Sequence, residues 1–401
     1  MPTSVKLSDG SVVAPTVSPD TIPHVTHSVD SELAAMHIQG GVPRMNGWEK
    51  IRYGSCDASS NYQCISGYRP SQVPNIASLA TRFAISDRTF SMGDSPSWGG
   101  HLYAAMASLD GFTGENPYPT PGFTLGPGWG CDSYRVASWL SPSGAIERIP
   151  SCIPDYKLGL ANGGAFEPTP AAYEPTIFDE LHNAGLTWKI YGAATLDDVG
   201  YKWSICPSIA ECEYTAQRKR LVDASHFITN ATKGTLPTFS VVTAGGLSQA
   251  AAAGSCHNDM SMTACDNYIG RLVSAAENGP EWSSTAIFIT FDDFGGFYDQ
   301  VAPSRNPDNT WQGPRLPLII VSPYARSRYT DTASTTYAGI LAYVEHDFGL
   351  PSLSVNDLGA YDFSNAFDYT QAALKPIHLP QRPLPPSAKH ISVSAVAKDT
   401  S

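Results

Sequence analysis

The segment Thr285–Asp299 constrains this chain more than any other. It reads Thr-Ala-Ile-Phe-Ile-Thr-Phe-Asp-Asp-Phe-Gly-Gly-Phe-Tyr-Asp: a strand-like apolar run, then Asp292 and Asp293, then Gly295 and Gly296. Adjacent carboxylates at the C-terminal end of a core strand are costly to place unless a cation meets them. A divalent metal fills that role, and the glycines allow the backbone to turn tightly beside it. The same letters also suit a buried strand followed by an Asx-type turn, so the segment alone leaves both readings open.

Composition narrows the classes. Apolar residues make up 42% and charged residues 15%, which specifies a globular chain, and 401 residues can bury one large core or two moderate ones. The 34 glycines and 32 prolines imply long, structured loops. A formal net charge of −12 argues against nucleic acid or an anionic membrane as the main partner, since both need a basic surface. No apolar run is long enough to span a bilayer.

The eight cysteines fall in close pairs: Cys56 with Cys64, Cys131 with Cys152, Cys206 with Cys212, and Cys256 with Cys265. Even count and short separations predict four local disulfides and an oxidising, extracellular or periplasmic setting. None of the pairs has the C-x₂-C spacing of a zinc site. Asn230-Ala-Thr232 fits a glycosylation acceptor. The opening Met1-Pro-Thr-Ser-Val-Lys6 has no apolar signal segment, so a secreted protein is expected to have lost its leader or to extend upstream.

Periodicity predicts a strand within Thr81–Phe90, a helix at Thr176–Ala184 stopped by Gly185, and strands at Thr187–Tyr191 and Leu236–Thr243. It adds a helix at Asp266–Ala276 capped by Asp266, strands at Thr285–Phe291 and Leu316–Val321, and a helix at Tyr337–Phe348 ending at Gly349. Apolar strands alternating with helices imply a mainly parallel sheet covered on both faces. Residues 110–175 and 195–220 read as loops pinned by disulfides. Residues 1–375 are expected to form one domain, and 376–401 a Pro/Ser-rich, extended tail.

A second segment, Phe83–His101, places Ser97 in a Pro/Gly-bounded turn after a strand and just before a helix at 101–108. Such a position exposes the hydroxyl and aims helix N–H groups at whatever it attacks. An ordinary helix N-cap is the other use of a serine there. The G-x-S-x-G elbow of α/β-hydrolases is absent.

Together these segments resemble the bacterial phosphoesterase family of phospholipases C and acid phosphatases, within the alkaline phosphatase superfamily. Ser95-Pro96-Ser97-Trp98-Gly99-Gly100-His101 is similar to the family's nucleophile motif, and Phe291–Val301 to its metal-binding Tyr-Asp-Glu/Asp-Gly-Gly-Gly-Phe-Tyr-Asp-His-Val. Gly313–Ala325, the Ile340–Leu350 helix, Cys256-His257 and the His27–Trp48 region match as well. The resemblance runs from about residue 20 to about residue 355.

The resemblance implies an alkaline-phosphatase-like α/β/α sandwich and assigns roles. Ser97 resembles the nucleophile, Asp292 and Asp293 the metal ligands, and His257 and His27 the histidines that meet phosphoryl oxygens or the leaving group. His226 is a further candidate, and Trp98 and Tyr298 are candidates for the pocket wall, although aromatics near strand ends more often pack in a core. His101 reads as a helix-start residue and His346 as structural or exposed. The implied cofactor is a divalent ion; all-oxygen ligands suit calcium, magnesium or manganese, with zinc also allowed. The implied substrate is a small phosphate ester or a phospholipid head group. Ser97, His257, Asp292 and Asp293 are expected to converge at the C-terminal edge of the sheet.

The chain also departs from the pattern. The family takes further metal ligands from a Glu-Asn pair at the end of its first strand. The Glu-Asn pairs here are Glu115-Asn116, in a loop, and Glu277-Asn278, at a helix end. Gln300 stands where the family has histidine, and Gly99-Gly100 where it has Pro-Asn. A weak or inactive form is therefore expected. The rivals are a non-catalytic secreted protein that retains the fold and a metal-free serine hydrolase. A sulfatase is excluded, because Cys152-Ile-Pro-Asp-Tyr lacks the arginine of Cys-x-Pro-x-Arg.

Overall fold

The apolar run at 285–291 forms a shorter and less buried strand than its letters predict. In the computed structural model, which describes residues 2–53, 55–93, 95–155, 169–196, 200–244 and 254–390, that strand is Ile287–Ile289. It lies at the edge of a four-stranded sheet ordered Ile287–Ile289, Leu318–Val321, Ala84–Ser86, Tyr329–Asp331. The first two junctions are antiparallel and the last is parallel. An edge strand is paired on one side only, and its residues are half-buried. Leu318–Val321, flanked on both sides, is buried throughout.

This sheet belongs to the first of two compact units, made of Met1–Pro96, Ala253–Thr336 and Phe363–Ser401. Its apolar core joins Val5, Leu7, Val25, Met36, Trp48 and Ile65 to Phe294, with Phe297 and Tyr298 packed alongside. The long helix begins earlier than predicted. It spans Met262–Glu277 and is capped by the Ser261 hydroxyl, which accepts from the Ala264 N–H. Asp266 is therefore not its cap. Fully buried, Asp266 caps a different helix, Pro74–Arg82, by accepting the N–H groups of Asn75 (3.3 Å) and Ile76 (2.9 Å). Arg382 neutralises it at 3.2 Å. A carboxylate can serve any helix start it reaches in space, which sequence adjacency does not disclose.

Part of the Pro-rich tail docks onto the first unit, and Pro386–His390 forms a short 3₁₀ turn. The Ile377 N–H donates to Glu277, Asn75 Nδ2 donates to the Pro380 carbonyl, and the Arg382 N–H donates to Asn267. The remainder of the predicted tail, 391–401, lies outside the described residues.

The second unit comprises Ser97–Ala252 and Tyr337–Asp362. Its parallel sheet is ordered Leu221–Asp223, Trp188–Gly192, Phe239–Val242. The predicted helix before the central strand is Ile177–Asn183, with Thr176 and Asp179 forming a capping box. The supposed loop at 110–175 contains an antiparallel sheet of Tyr118–Pro119, Arg135–Leu140 and Ile146–Pro150. Ile146-Glu-Arg-Ile-Pro150 alternates too weakly to announce a strand. Residues 156–168 of this stretch, and 197–199 of the second supposed loop, lie outside the described residues. The α/β class holds, with mixed sheets. All four cysteine pairs form as read from their spacing, with Cα separations of 5.3, 4.7, 5.2 and 5.2 Å.

Two predictions follow from this packing. Cys256–Cys265 closes a span of 9 residues, so replacing both by serine should cost about 2–3 kcal/mol on the chain-entropy estimate, read from urea denaturation. In the second unit, Glu345 is buried on the Ala338–Phe348 helix. Burial, with Asp357 beside it, pushes its carboxyl up from 4.5 to about 9. The folded pKa is thus above the unfolded one. The unfolded chain releases this proton first, and the group erodes stability as pH rises through that window. Glu345→Gln should therefore raise the melting temperature at pH 8 and leave it unchanged at pH 4.5; equal shifts at both would trace the effect to packing instead.

Candidate active site

Asp292 and Asp293 follow the Ile287–Ile289 strand in a turn built on two glycines. Gly295 and Gly296 have φ of +62° and +78°, in the left-handed region where a side chain is strained. A Cβ on Gly296 would stand 2.5 Å from Val25 Cγ1 and 2.9 Å from the Thr26 carbonyl. The turn thus lies directly on the segment carrying His27. The residues around it fix this contact. Phe294 is buried with its ring 6.4 Å from Trp48, and Tyr298 meets Trp48 edge-on at 5.5 Å. Tyr298 is accordingly packed onto the core. Asp293 Oδ1 accepts the Gly295 N–H at 2.6 Å.

His27 is buried with its Nδ1 2.9 Å from the Val25 carbonyl. The Val25 carbonyl only accepts and suits an Nδ1–H tautomer, while the Asn258 Nδ2 donor also stands 3.3 Å from Nδ1. Nε2 stands 3.9 Å from Asp293 Oδ2, with both side chains only 5% exposed. The His257 ring meets that of His27 edge-on at 5.3 Å, and its Nδ1 lies 3.2 Å from the Asn258 carbonyl. The two segments are stitched together: the Ile22 N–H donates to Met260 O, the Asp259 N–H donates to Ile22 O, and the 256–265 disulfide anchors the loop to the first turn of the Met262–Glu277 helix. Buried Asn258, which the sequence reading missed, donates through Nδ2 to the Val25 carbonyl at 2.6 Å. Its place next to a candidate histidine was the available signal.

Burial pushes the Asp293 carboxyl up from 3.8 to about 6; His27 pulls it back, Asp292 pushes it further up, and the Gly295 N–H and His257 oppose that rise. The third acid of the motif is otherwise engaged. Asp299 receives Arg315 at 3.0 and 3.1 Å, and Arg315 also donates to the Asp87 carbonyl at 2.7 Å. Gln300, at the family's histidine position, is exposed.

The first unit therefore brings together His27, His257 and Asp293, with Asp292 adjacent. Ser97, Trp98 and His226 belong to the second unit. Ser97 is buried and opens the Ser97–Met106 helix, which starts earlier than predicted. The N–H groups of that helix end are partly taken: Trp98 donates to Asn116 Oδ1 at 2.9 Å and Gly99 to the Gly114 carbonyl at 3.2 Å. The Asn of the first Glu-Asn pair is thus a helix cap. Trp98 is fully buried, and its Nε1 donates to Ser208. His226 is exposed on the Ser225–Lys233 helix. In the second Glu-Asn pair, Glu277 is buried and accepts from Ile377, while Asn278 ends the helix.

The donors at His27 and Asp293 suit a divalent ion in kind: an imidazole nitrogen and a buried carboxylate oxygen present acceptor atoms to each other. Among the described residues, no three His, Cys, Asp or Glu side chains already stand within reach of a single ion. No helix among them is long and apolar enough to cross a membrane.

Comparison with known proteins agrees with the motifs. The chain is 23% identical over 356 residues to non-specific phospholipase C6 of Arabidopsis thaliana, covering 82% of this chain and 58% of that protein. It is 26% identical over 246 residues to non-hemolytic phospholipase C of Pseudomonas aeruginosa, covering 49% and 34%. The matched regions span 58% and 34% of the lengths of these two relatives. Among solved structures it aligns with a protein in the alkaline phosphatase superfamily from Vibrio parahaemolyticus at a TM-score of 0.37 and 16% identity, covering 72% and 63% of the two chains. The Phosphoesterase family model matches residues 5–351. By that match over most of its length, the chain belongs to the Phosphoesterase family.

Proposed function

We propose that this chain hydrolyses phosphate esters, with Ser97 as nucleophile and His27, His257, Asp292 and Asp293 serving the phosphoryl group. The supporting observation is the buried pairing of His27 with Asp293, beside His257, in a chain matched to the family over 5–351. Members of this superfamily generally use metal ions, and a divalent ion held by the acidic pair would neutralise phosphoryl oxygens and ease ionisation of the serine. Ser97 Oγ then forms its bond to phosphorus as the bond to the leaving oxygen breaks. A histidine passes its proton to the departing alkoxide, and water opens the phosphoserine in a second displacement. Two inversions give net retention at phosphorus.

The phospholipase C names of the relatives favour a phospholipid-type diester as substrate, and the four disulfides favour an extracellular or periplasmic site of action. The only two Glu-Asn pairs serve as helix cap and helix end, so we propose slow turnover for this chain by itself. One observation supports the rival reading of a non-catalytic protein: the Trp98 and Gly99 N–H groups are bonded to the 114–116 loop and not offered to a phosphate.

Turnover of p-nitrophenyl phosphate and p-nitrophenylphosphocholine with added divalent ions separates the two. Ser97→Ala should lower it at least about 1,000-fold, the scale of losing a covalent nucleophile. Turnover equal to that of the parent would remove Ser97 from the mechanism, and no turnover by the parent would favour the binding protein.

A further inference from the structure

We infer that Glu32 is a positioning residue: its buried carboxyl group fastens the stretch of chain that leads into Ser97. The inference goes beyond the phosphoesterase reading and rests on it only for Ser97 as the nucleophile.

The chain approaches Ser97 from the strand Thr89–Phe90, and its first steps are tied to one neighbouring segment. The Gly313 N–H donates to the Ser91 carbonyl at 3.0 Å, and the Ser91 N–H donates to the Pro314 carbonyl at 3.1 Å. Buried Asn306 donates through Nδ2 to the Met92 carbonyl at 2.6 Å. Gly93 has a φ of +82° and runs so close to the Trp311 carbonyl that a Cβ would strike it. Ser95 is held by a different element. Its N–H donates at 3.5 Å to Oε2 of Glu32, on the helix Val29–Met36.

Glu32 is 2% exposed and lies on the face that also buries Ser31, Ala35 and Met36. A carboxyl group is costly to bury unless its oxygens are used. Oε2 meets Ser95. Oε1 and the Ser91 hydroxyl both crowd the α-carbon of Gly313, where a Cβ would collide with each. The bare backbone at Gly313 therefore gives the carboxyl group its room, which supplies a role for the first residue of a matched stretch that the proposed chemistry does not use. The hydroxyls of Ser91 and Ser95 are buried and take no hydrogen-bond partner among the described residues. The approach is thus fastened through its backbone. A contact of 3.5 Å is long, but in a low-dielectric interior it keeps electrostatic strength.

The sequence Ser95-Pro96-Ser97 makes this contact count. Pro96 has no N–H, so the Ser95 N–H is the last backbone donor ahead of Ser97. The proline ring fixes its own φ, and the residue before a proline is confined to extended conformations. Holding Ser95 therefore holds Ser97 through a stiff link. The helix that carries Glu32 is capped by Ser28, directly after His27. One short element thus follows a candidate histidine and props the approach to the candidate nucleophile.

Hydrogen exchange read residue by residue, together with turnover of p-nitrophenylphosphocholine in the presence of divalent ions, tests this on the full chain. Glu32→Ala should speed exchange at the Ser95 amide about fivefold or more, the scale of one lost hydrogen bond. It should lower kcat on the order of 100-fold, as for a misplaced reacting group, and leave KM unchanged. Glu32→Gln keeps an acceptor oxygen in place and should restore both. Asp30→Asn, at a 73% exposed side chain on the same helix, should change neither. Should the alanine variant fail to fold, Gly313→Ala displaces the carboxyl group with Glu32 intact and should give the same signature. Unchanged exchange at Ser95 would overturn the inference, as would an unchanged kcat. Glu32→Gln as impaired as Glu32→Ala would also overturn it, because an acid acting in the chemistry would then replace a prop. Turnover abolished by Ser97→Ala but indifferent to Glu32→Ala would refute the prop and leave the phosphoesterase reading standing. A parent inert to ester would remove that reading, and exchange at Ser95 would then decide the prop by itself.

Discussion

The contact of Gly296 with Val25 and Thr26 is the constraint on which the candidate site depends. Two stretches more than 260 residues apart in sequence must meet backbone to backbone, and a single Cβ at Gly296 would drive them apart by its 2.5 Å clash with Val25. The aromatic residues that follow hold the approach. Phe294 and Tyr298 both pack on Trp48, in the same core as Val25. His27 is then two residues from a fixed point on one strand of chain, and Asp293 three residues from a fixed point on the other. Their spacing is set by packing, with no long flexible arm on either side.

Buried acids recur through the structure, and their partners separate those that hold the fold from those available for chemistry. Asp266 is met by two N–H groups and an arginine; Asp299 is met by a bidentate arginine. Both are ordinary solutions to the cost of burying charge. Glu277 and Glu345 are handled differently: burial pushes them up to about 7 and about 9, so each is held partly or wholly neutral. Asp293 is pushed up by burial as well, to about 6, but in different surroundings. It faces imidazole nitrogen across a gap too wide for a hydrogen bond, in a chain that places a second acid next to it. A buried acid with that surrounding is where a functional reading is warranted.

Much of this was legible in the letters, for reasons that differ by residue. The disulfides were readable because all four close short spans, and short loops leave few alternatives. The strand at 318–321 was readable because a central strand is apolar on both faces. Ile287–Ile289 has the same letters but lies at a sheet edge, and a sequence does not state how many neighbours a strand has. Asp266 looked like the cap of its own helix and proved to be the cap of another, 190 residues away in sequence. The acidic pair was named from its place after an apolar run, and His27 and His257 from the family resemblance. Asn258 could not be named, since its role is to hold a carbonyl, and any buried amide would look alike in sequence.

The start of the Ser97 helix shows the same division between chemistry and support. A serine opening a helix is ready to attack only if its surroundings are rigid, and the N–H groups behind it are the natural place to fasten that turn. Asn116 and Gly114 fasten it here, through the N–H groups of Trp98 and Gly99. Trp98 adds a second tie from its indole to Ser208. The helix dipole remains in force when these N–H groups are bonded, because it belongs to the whole stack of peptides. What the ties remove is direct donation to a phosphate oxygen.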